Sequence, residues 1–156
     1  DLSWQDAAQL PGSKHLGIGK KFMTQYRWWE FTPHPEWIEI PGKSDFYTEA
    51  NRDYFVPYCA GIPGEVRMVY FSPIFSSVWS GNEIVVKHIE PEVRYQARFF
   101  NPGSGIIIEL GPAVPDETGN WRIPSVPVFR DWLLVLTSAL VIARNPAIGG
   151  MTKQSL

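Results

Sequence analysis

The chain has 156 residues, of which 44% are hydrophobic and 19% charged, a balance that supports a folded core and excludes a disordered polymer. The net charge of -2, with Lys20-Lys21 as the only run of basic residues, excludes a concentrated basic surface, so we expect neither nucleic acid nor a membrane as a partner. Fourteen prolines and thirteen glycines divide the chain into short segments, which is typical of an all-β protein.

The segment Asp1–Trp29 contains the one predicted helix. Pro11 and Ser13 suit a helix start. Apolar residues then recur at helical spacing on two adjoining faces: Leu16, Met23 and Tyr26 on one, Ile18, Phe22 and Trp29 on the other. Gly17 and Gly19 each weaken a helix by about 1 kcal/mol, so this helix needs an apolar surface to pack on. We interpret Trp28, Trp29 and Trp132 as core or interdomain packing.

Short strands are predicted from Tyr47 onwards, with turn signals about every 8–12 residues, which indicates a sandwich or barrel. The strand "VRYQARFF" alternates: its pattern places Tyr95, Ala97 and Phe99 in the core and Arg94, Gln96 and Arg98 in water. "NPG" then makes a turn, and "PDETGN" predicts another turn, with Gly119 at positive φ. "DWLLVLTSALVIA" is apolar on both faces and predicts a final, central strand. The predicted fold class is mainly β, an antiparallel β-sandwich with one N-terminal α-helix.

Chemistry-bearing residues are scattered along the sequence. His15, His34 and His88 have no ligand spacing and there is a single cysteine, so we predict no metal site and no cofactor. Sixteen acidic residues offer many pairs for glycosidase chemistry, but spacing selects none, and no catalytic residue is assigned.

Exposed aromatic residues are the more informative candidates, because a sugar ring stacks its apolar face on Trp or Tyr. Trp79 and Trp121 adjoin turn residues, and Trp37 lies in a proline-rich loop. These three tryptophans are the predicted ligand-binding residues, with packing at a sandwich end as the competing interpretation of each.

Three stretches together resemble one family. "LPGSKHLGIGKKFMTQYRWWEFTP" resembles the last barrel helix and exit segment of the apiosidase-like glycoside hydrolases. "YQARFFNPGSG" and "PDETGNWRIPSVPVFRDWLLVLT" resemble the β-sandwich that follows that barrel, which is catalogued as a collagen-binding domain of a collagenase. The sequence departs from the family at Asn101, where Asp is usual.

The resemblance implies a division into residues 1–40, a helix and linker like the end of a (β/α)8 barrel, residues 41–143, an accessory β-sandwich, and residues 144–156, a loosely held tail. It implies an extracellular or periplasmic protein involved in polysaccharide degradation. The family's catalytic carboxylates precede the last barrel helix, so none is carried over to this chain. Because the chain opens at Asp1 without a methionine, we expect it to be either a processed product or a piece of a longer protein.

Three functions follow. The first is a non-catalytic accessory sandwich of a secreted glycoside hydrolase, which braces an upstream (β/α)8 catalytic domain and binds a polysaccharide or oligosaccharide. The second is a protein-binding module with collagen as ligand. The third is a small stand-alone glycosidase or lyase, with a pair such as Glu30 and Glu36. If no barrel precedes the chain, we expect self-association through the N-terminal helix.

Overall fold

The computed structural model describes residues 3–40, 56–73, 84–127 and 130–149. The α-helices are α1 (Trp4–Ala7), α2 (Pro11–Met23), α3 (Ala139–Arg144) and α4 (Pro146–Gly149), with 3-10 helices η1 (Trp28–Glu30) and η2 (Pro35–Trp37). The strands are β1 (Thr32–Pro33), β2 (Ile38–Glu39), β3 (Tyr58–Ile62), β4 (Val66–Phe71), β5 (Val85–Val86), β6 (Tyr95–Phe100), β7 (Ile107–Ala113), β8 (Trp121–Arg122) and β9 (Trp132–Ser138).

Two antiparallel sheets form the β part of the described chain, which confirms the mainly β fold class. The larger sheet has six strands in the order β1-β3-β4-β9-β6-β7, and the smaller has three in the order β2-β5-β8. The strand β9 lies between β4 and β6, as the apolar sequence predicted for a central strand.

The larger sheet is covered on both faces, and β9 shows this residue by residue. Leu134 and Leu136 point into a core shared with Ile38 and Val86 of the smaller sheet. Val135, between them, points into a second core on the opposite face. Because successive side chains of a strand alternate between the two faces, a strand covered on both sides is apolar throughout.

Helices build the second core. Phe22 of α2 stacks on Phe100 of β6 with ring centroids 3.8 Å apart, and Ile148 of α4 is buried beside them. The predicted start of α2 is confirmed, with Pro11 as its first residue, where the missing N–H costs nothing. The prediction of a single, N-terminal helix is wrong, because α3 and α4 follow the last strand.

The strand predicted to run from Asp131 to Ala143 begins at Trp132 and ends earlier, at Ser138. Ser138 is the N-cap of α3, and its hydroxyl oxygen accepts a hydrogen bond from the backbone N–H of Val141. This cap converts the apolar run from extended chain to helix. An apolar run cannot by itself distinguish a buried strand from a buried helix, which is why the pattern missed the change.

Arg98 corrects the predicted faces of β6. Tyr95, Ala97 and Phe99 are buried and Gln96 is exposed, as predicted, but Arg98 is buried as well. Its guanidinium donates 2.6 Å hydrogen bonds to the carbonyl oxygen of Ile148 and to the hydroxyl of Tyr26. The guanidinium therefore ties α4 and the end of α2 to the sheet, instead of facing water.

The turn after β6 depends on Asn101. Its side-chain oxygen accepts hydrogen bonds from the backbone N–H groups of Gly103 and Ser104 and from the Ser104 hydroxyl. Its amide nitrogen donates to the carbonyl oxygen of Asp131. An ionised Asp could accept the first three bonds but could not donate the fourth, so Asn at this position adds a tie to the start of β9.

The turn at Asp116–Asn120 is also confirmed. Gly119 has a φ of 77°, and the Asp116 carboxylate accepts hydrogen bonds from the backbone N–H groups of Thr118 and Asn120. These bonds satisfy a local turn, which is the role that the sequence predicted for this segment.

The segment from residue 144 was predicted to be loosely held, and its described part differs from that prediction. Ile148 is 1% exposed and packs in the second core. Asn145 donates a hydrogen bond through its side-chain amide to the carbonyl oxygen of Gln25. Residues 150–156 lie outside the described part of the chain.

We expect Ile148→Ala to lower the free energy of unfolding by about 2–5 kcal/mol, because it removes a fully buried side chain and leaves a cavity. Leu140→Ala is the control, since Leu140 lies in the neighbouring α3 but is 55% exposed; we expect a change within about 0.5 kcal/mol. Urea denaturation measures both, and equal small effects would show that α4 does not contribute to the core.

Candidate docking surface

Large apolar side chains are exposed along the first 29 residues. The set, here named the N-terminal apolar surface, is Trp4, Leu10, Leu16, Trp28 and Trp29. Trp4 and Leu16 are each 77% exposed, and Trp29 is 65% exposed. Scattered apolar residues on a surface are ordinary, but several tryptophans and leucines within one short segment indicate an interaction site.

The helix α2 presents this surface because its two sides differ. Phe22 and, just beyond the helix, Tyr26 are buried against the larger sheet, whereas Leu16 points away from it. Gly12, Gly17 and Gly19 have open space where a side chain would be, with no atom within 4 Å of a Cβ built there. The outer side of α2 therefore has few protruding side chains and is uncovered, so that another backbone can approach it closely.

Charged contacts fix the position of η1. The Arg27 guanidinium donates two 2.8 Å hydrogen bonds to the Glu65 carboxylate and one of 2.7 Å to that of Glu30. Glu65 lies in the turn between β3 and β4, so these bonds hold η1 beside the larger sheet. Trp28 and Trp29 then meet edge to face, with ring centroids 6.1 Å apart.

A pocket of about 150 Å³ lies at this end of the surface. It is formed by the chain segment after α2, the ends of β3 and β4, and the helix α3, and residues Gln25–Arg27 form one wall. A second pocket, of about 280 Å³, lies beside Arg98 and Thr137, between the larger sheet and the helices α3 and α4.

Trp37, one of the three predicted sugar-binding tryptophans, is a core residue. It is 4% exposed, its ring stacks on His34 at 3.9 Å, and the Arg67 guanidinium lies 4.2 Å from its centroid. A ring covered in this way has no face for a sugar, so Trp37 is removed from the candidate site. The backbone N–H of Lys87 donates a hydrogen bond to the carbonyl oxygen of Trp37, which holds this loop beside the smaller sheet.

The other two predicted tryptophans differ. Trp121 is partly exposed in β8 and packs against the first core, opposite Val86. Trp79 lies outside the described residues. Sugar stacking on Trp121 and Trp79 stays a prediction.

Arg67 is the centre of a buried polar cluster that the sequence did not indicate. Its guanidinium is 1% exposed, donates to the carbonyl oxygens of Lys87 and His88, and makes a 2.7 Å ion pair with Glu90. The Tyr95 hydroxyl donates to the same Glu90 oxygen at 2.9 Å. These contacts use both terminal nitrogens of the guanidinium, whereas its buried Nε has no hydrogen-bond partner, and they join the two sheets, which assigns the cluster a structural role.

The ionisation of Glu90 follows from these contacts. Burial by itself would raise the pKa of Glu90, but backbone hydrogen bonding, the charge of Arg67 and the Tyr95 hydroxyl outweigh it and hold the pKa below its ordinary value. Burial and the Glu90 carboxylate raise the pKa of Tyr95.

Glu30 and Glu36, the pair named for a stand-alone glycosidase, have separate partners. Glu30 pairs with Arg27, and Glu36 accepts a 2.7 Å hydrogen bond from Nδ1 of His34. The Nε2 atom of His34 lies 2.8 Å from the Thr32 hydroxyl, so the two side chains on either side of the imidazole fix its orientation. Burial would raise the pKa of Glu36, but hydrogen bonds and the charge of His34 hold it below its ordinary value.

The single cysteine, Cys59, is buried. Burial raises the pKa of Cys59 to about 12, so its thiol is a poor nucleophile. Within the described ranges, His, Cys, Asp and Glu form no group of three that could hold a metal ion. None of the helices in those ranges is both long and apolar enough to cross a membrane.

Comparison with known proteins identifies a fold that this chain shares with solved structures. No family model matches the chain, and no curated protein matches it significantly. A solved structure described as a glycoside hydrolase matches with a TM-score of 0.62 and 16% identity, over 90% of this chain and 28% of that chain. A glycoside hydrolase family 5 structure from Bacteroides vulgatus matches with a TM-score of 0.60 and 15% identity, over 88% of this chain and 27% of that one.

The chain thus shares the fold of a part of two glycoside hydrolases and spans about a quarter of their length. The relation to glycoside hydrolases that the sequence suggested is confirmed at this level of fold. The finer identification, as the collagen-binding type of sandwich, stays a prediction from the sequence.

We expect Glu90→Gln to lower the free energy of unfolding at pH 7 by about 1.5–3 kcal/mol, because it weakens a charged hydrogen bond to buried Arg67. The pKa of Glu90 is depressed by folding, so this stabilisation is fully present above its ordinary value of 4.5 and is lost as the pH falls through the lower folded value. The difference between variant and parent should therefore shrink on acidification.

Glu36→Gln is the matched control, because its carboxylate is 53% exposed and its ion pair should contribute less than about 1 kcal/mol. Denaturant titrations of the three proteins from pH 7 to pH 3 measure both effects. A loss for Glu90→Gln that stays constant with pH would contradict the ionised pair with Arg67.

Proposed function

We propose that the chain is a non-catalytic accessory unit of a glycoside hydrolase, and that its N-terminal apolar surface docks on a (β/α)8 catalytic domain. The observation that carries the proposal is the two-sided N-terminal segment. One side of α2 is buried in the second core, whereas the segment from α1 through the outer side of α2 to η1 exposes three tryptophans and two leucines. Such a segment is built to lie between two packed bodies.

The two matched structures support a glycoside hydrolase domain as the body on which the N-terminal apolar surface docks. The two matched glycoside hydrolases are each more than three times longer than the part that this chain matches, so in those proteins the shared fold occurs within a larger hydrolase. The resemblance of residues 10–33 to the end of a barrel supports a position of this segment at a domain boundary.

The chemistry of the described residues supports a non-catalytic role. A glycosidase needs two carboxylates about 5–10 Å apart around the scissile bond, one of them free to donate a proton. Glu30 and Glu36 are instead held by Arg27 and His34, and hydrogen bonding to His34 helps to hold the pKa of Glu36 below its ordinary value. Docking, by contrast, needs exposed aromatic anchors, and Trp28 and Trp29 are of the residue type that contributes most to interfaces.

The test begins with the coding sequence upstream of Asp1, which we expect to encode a (β/α)8 domain with two carboxylates at its strand ends. The 156-residue chain and that domain are expressed separately and mixed. We expect a complex by analytical ultracentrifugation and by titration calorimetry. Trp28→Ser with Trp29→Ser should raise Kd at least thirtyfold, since one aromatic anchor is worth about 2 kcal/mol or more.

Val114→Ser is the control, because Val114 is 71% exposed but lies beyond β7, outside the N-terminal apolar surface. Three results would contradict the proposal: no complex with the barrel, a self-associated chain whose dimer is lost in the double serine variant, or turnover of a polysaccharide by the chain alone. Saturable collagen binding without barrel binding would favour the protein-binding alternative.

A further inference from the structure

We propose that the pocket beside η1 receives an apolar side chain of the catalytic domain, and that Arg144 at its rim binds an acidic residue next to that side chain. The inference rests on the proposed function and specifies how the docking is oriented. It assigns a binding role to Val141 and Arg144 of α3, far in sequence from the N-terminal apolar surface.

The floor of the pocket is apolar. Ile62, Val66 and Val141 line it, and the volume is about 150 Å³. A cavity of that size takes up a benzene-sized apolar group. The pocket therefore fits one large side chain, such as Leu, Met or Phe, which would be withdrawn from water on docking.

The rim carries a cation, Arg144, whose ion pair is long. Both Glu65 carboxylate oxygens accept hydrogen bonds from Arg27 at 2.8 Å. Arg144 lies 3.8 Å from Glu65, beyond hydrogen-bond distance, and its side chain is 64% exposed. Within the described residues Arg144 has this one long ion pair, so its planar set of donors can receive a carboxylate in the two-bond geometry that guanidinium favours.

The wall of the pocket has an unsatisfied acceptor. The side-chain oxygen of Gln25 is buried and accepts no hydrogen bond, although its amide nitrogen donates to the carbonyl oxygen of Lys21. A buried amide oxygen without a donor is unfavourable. A small rotation of Gln25 would let it accept from a backbone N–H of the incoming segment.

The pocket is continuous with the N-terminal apolar surface. Arg27, which lines the pocket, also bonds Glu30 at the end of η1, so Trp28 and Trp29 lie in the segment that borders the pocket. A domain that covers these tryptophans therefore reaches the pocket mouth. A sugar suits the pocket less well, because its aromatic residue, Tyr26, is 4% exposed and offers no ring face for stacking.

Two substitutions test the inference in the two-protein binding experiment. Val141→Trp fills the pocket, and Leu140→Trp places the same bulk on the neighbouring, 55% exposed position of α3. Arg144→Glu reverses the rim charge, and Arg94→Glu reverses an exposed charge at the start of β6. We expect Val141→Trp and Arg144→Glu each to raise Kd for the barrel at least tenfold, with the two controls within about twofold.

The loss in Arg144→Glu should diminish between 50 mM and 500 mM salt, because screening weakens a rim ion pair, whereas the loss in Val141→Trp should persist. Circular dichroism and thermal melts show whether Val141→Trp is misfolded. If it is, the Kd of Arg144→Glu, a substitution on the surface, still tests the inference.

A wild-type complex that neither variant weakens would overturn the pocket's role and leave the proposed docking intact. Absence of any wild-type complex would overturn both. The inference would also be overturned if an oligosaccharide bound the isolated wild-type chain and this binding were lost in Val141→Trp, since the pocket would then be a glycan site.

Discussion

The architecture depends on one constraint, that β9 is apolar on both faces and so has to be covered on both. Leu134 and Leu136 need the smaller sheet, and Val135 needs the helices. Each cover consists of short elements: the smaller sheet has three strands of two residues each, and the helical cover combines α2, of 13 residues, with α4, of four. Neither cover would be stable alone, so both depend on the apolar surface that β9 and its neighbours present.

Two buried arginines join the covers to the larger sheet. Arg67 faces the smaller sheet, where Glu90 and two backbone carbonyls receive its donors, and Trp37 lies over its guanidinium. Arg98 faces the helices and bonds Tyr26 and Ile148. The terminal nitrogens of both guanidinium groups are bonded, although the Nε of each is buried without a partner, and a slipped layer would leave more buried donors unpaired. Defined positions of α2 and η1 follow from this, and they determine what the chain exposes.

The exposed side is consistent with a domain that works through contact with another. The polar clusters of the described chain serve turns and layers, and the largest apolar side chains on its outside belong to the segment that resembles the end of a barrel. In the docked arrangement that we propose, the chain would act on the catalytic domain through its position and stability. The carboxylates of Glu30, Glu36 and Glu90 are engaged in ion pairs with Arg27, His34 and Arg67 respectively.

The sequence alone determined the features that are set by local chemistry or by simple periodicity. Proline at the start of α2, the turn at Gly119 and the alternation of Tyr95, Ala97 and Phe99 follow from backbone geometry and from the two-residue repeat of a strand. The apolar β9 was predicted to be central for the same reason. The three separated stretches also suggested a relation to glycoside hydrolases, which the fold supports.

Tertiary structure decided which polar and aromatic residues are buried, because burial depends on partners distant in sequence. Arg98 reads as a solvent-facing residue until α4, fifty residues later, packs over it. Trp37 reads as an exposed loop aromatic until Arg67 and His34 cover it. The pocket beside η1 joins residues about 120 positions apart, Gln25 and Asn145. No local pattern encodes such a meeting, since it arises only when both faces of β9 have been covered.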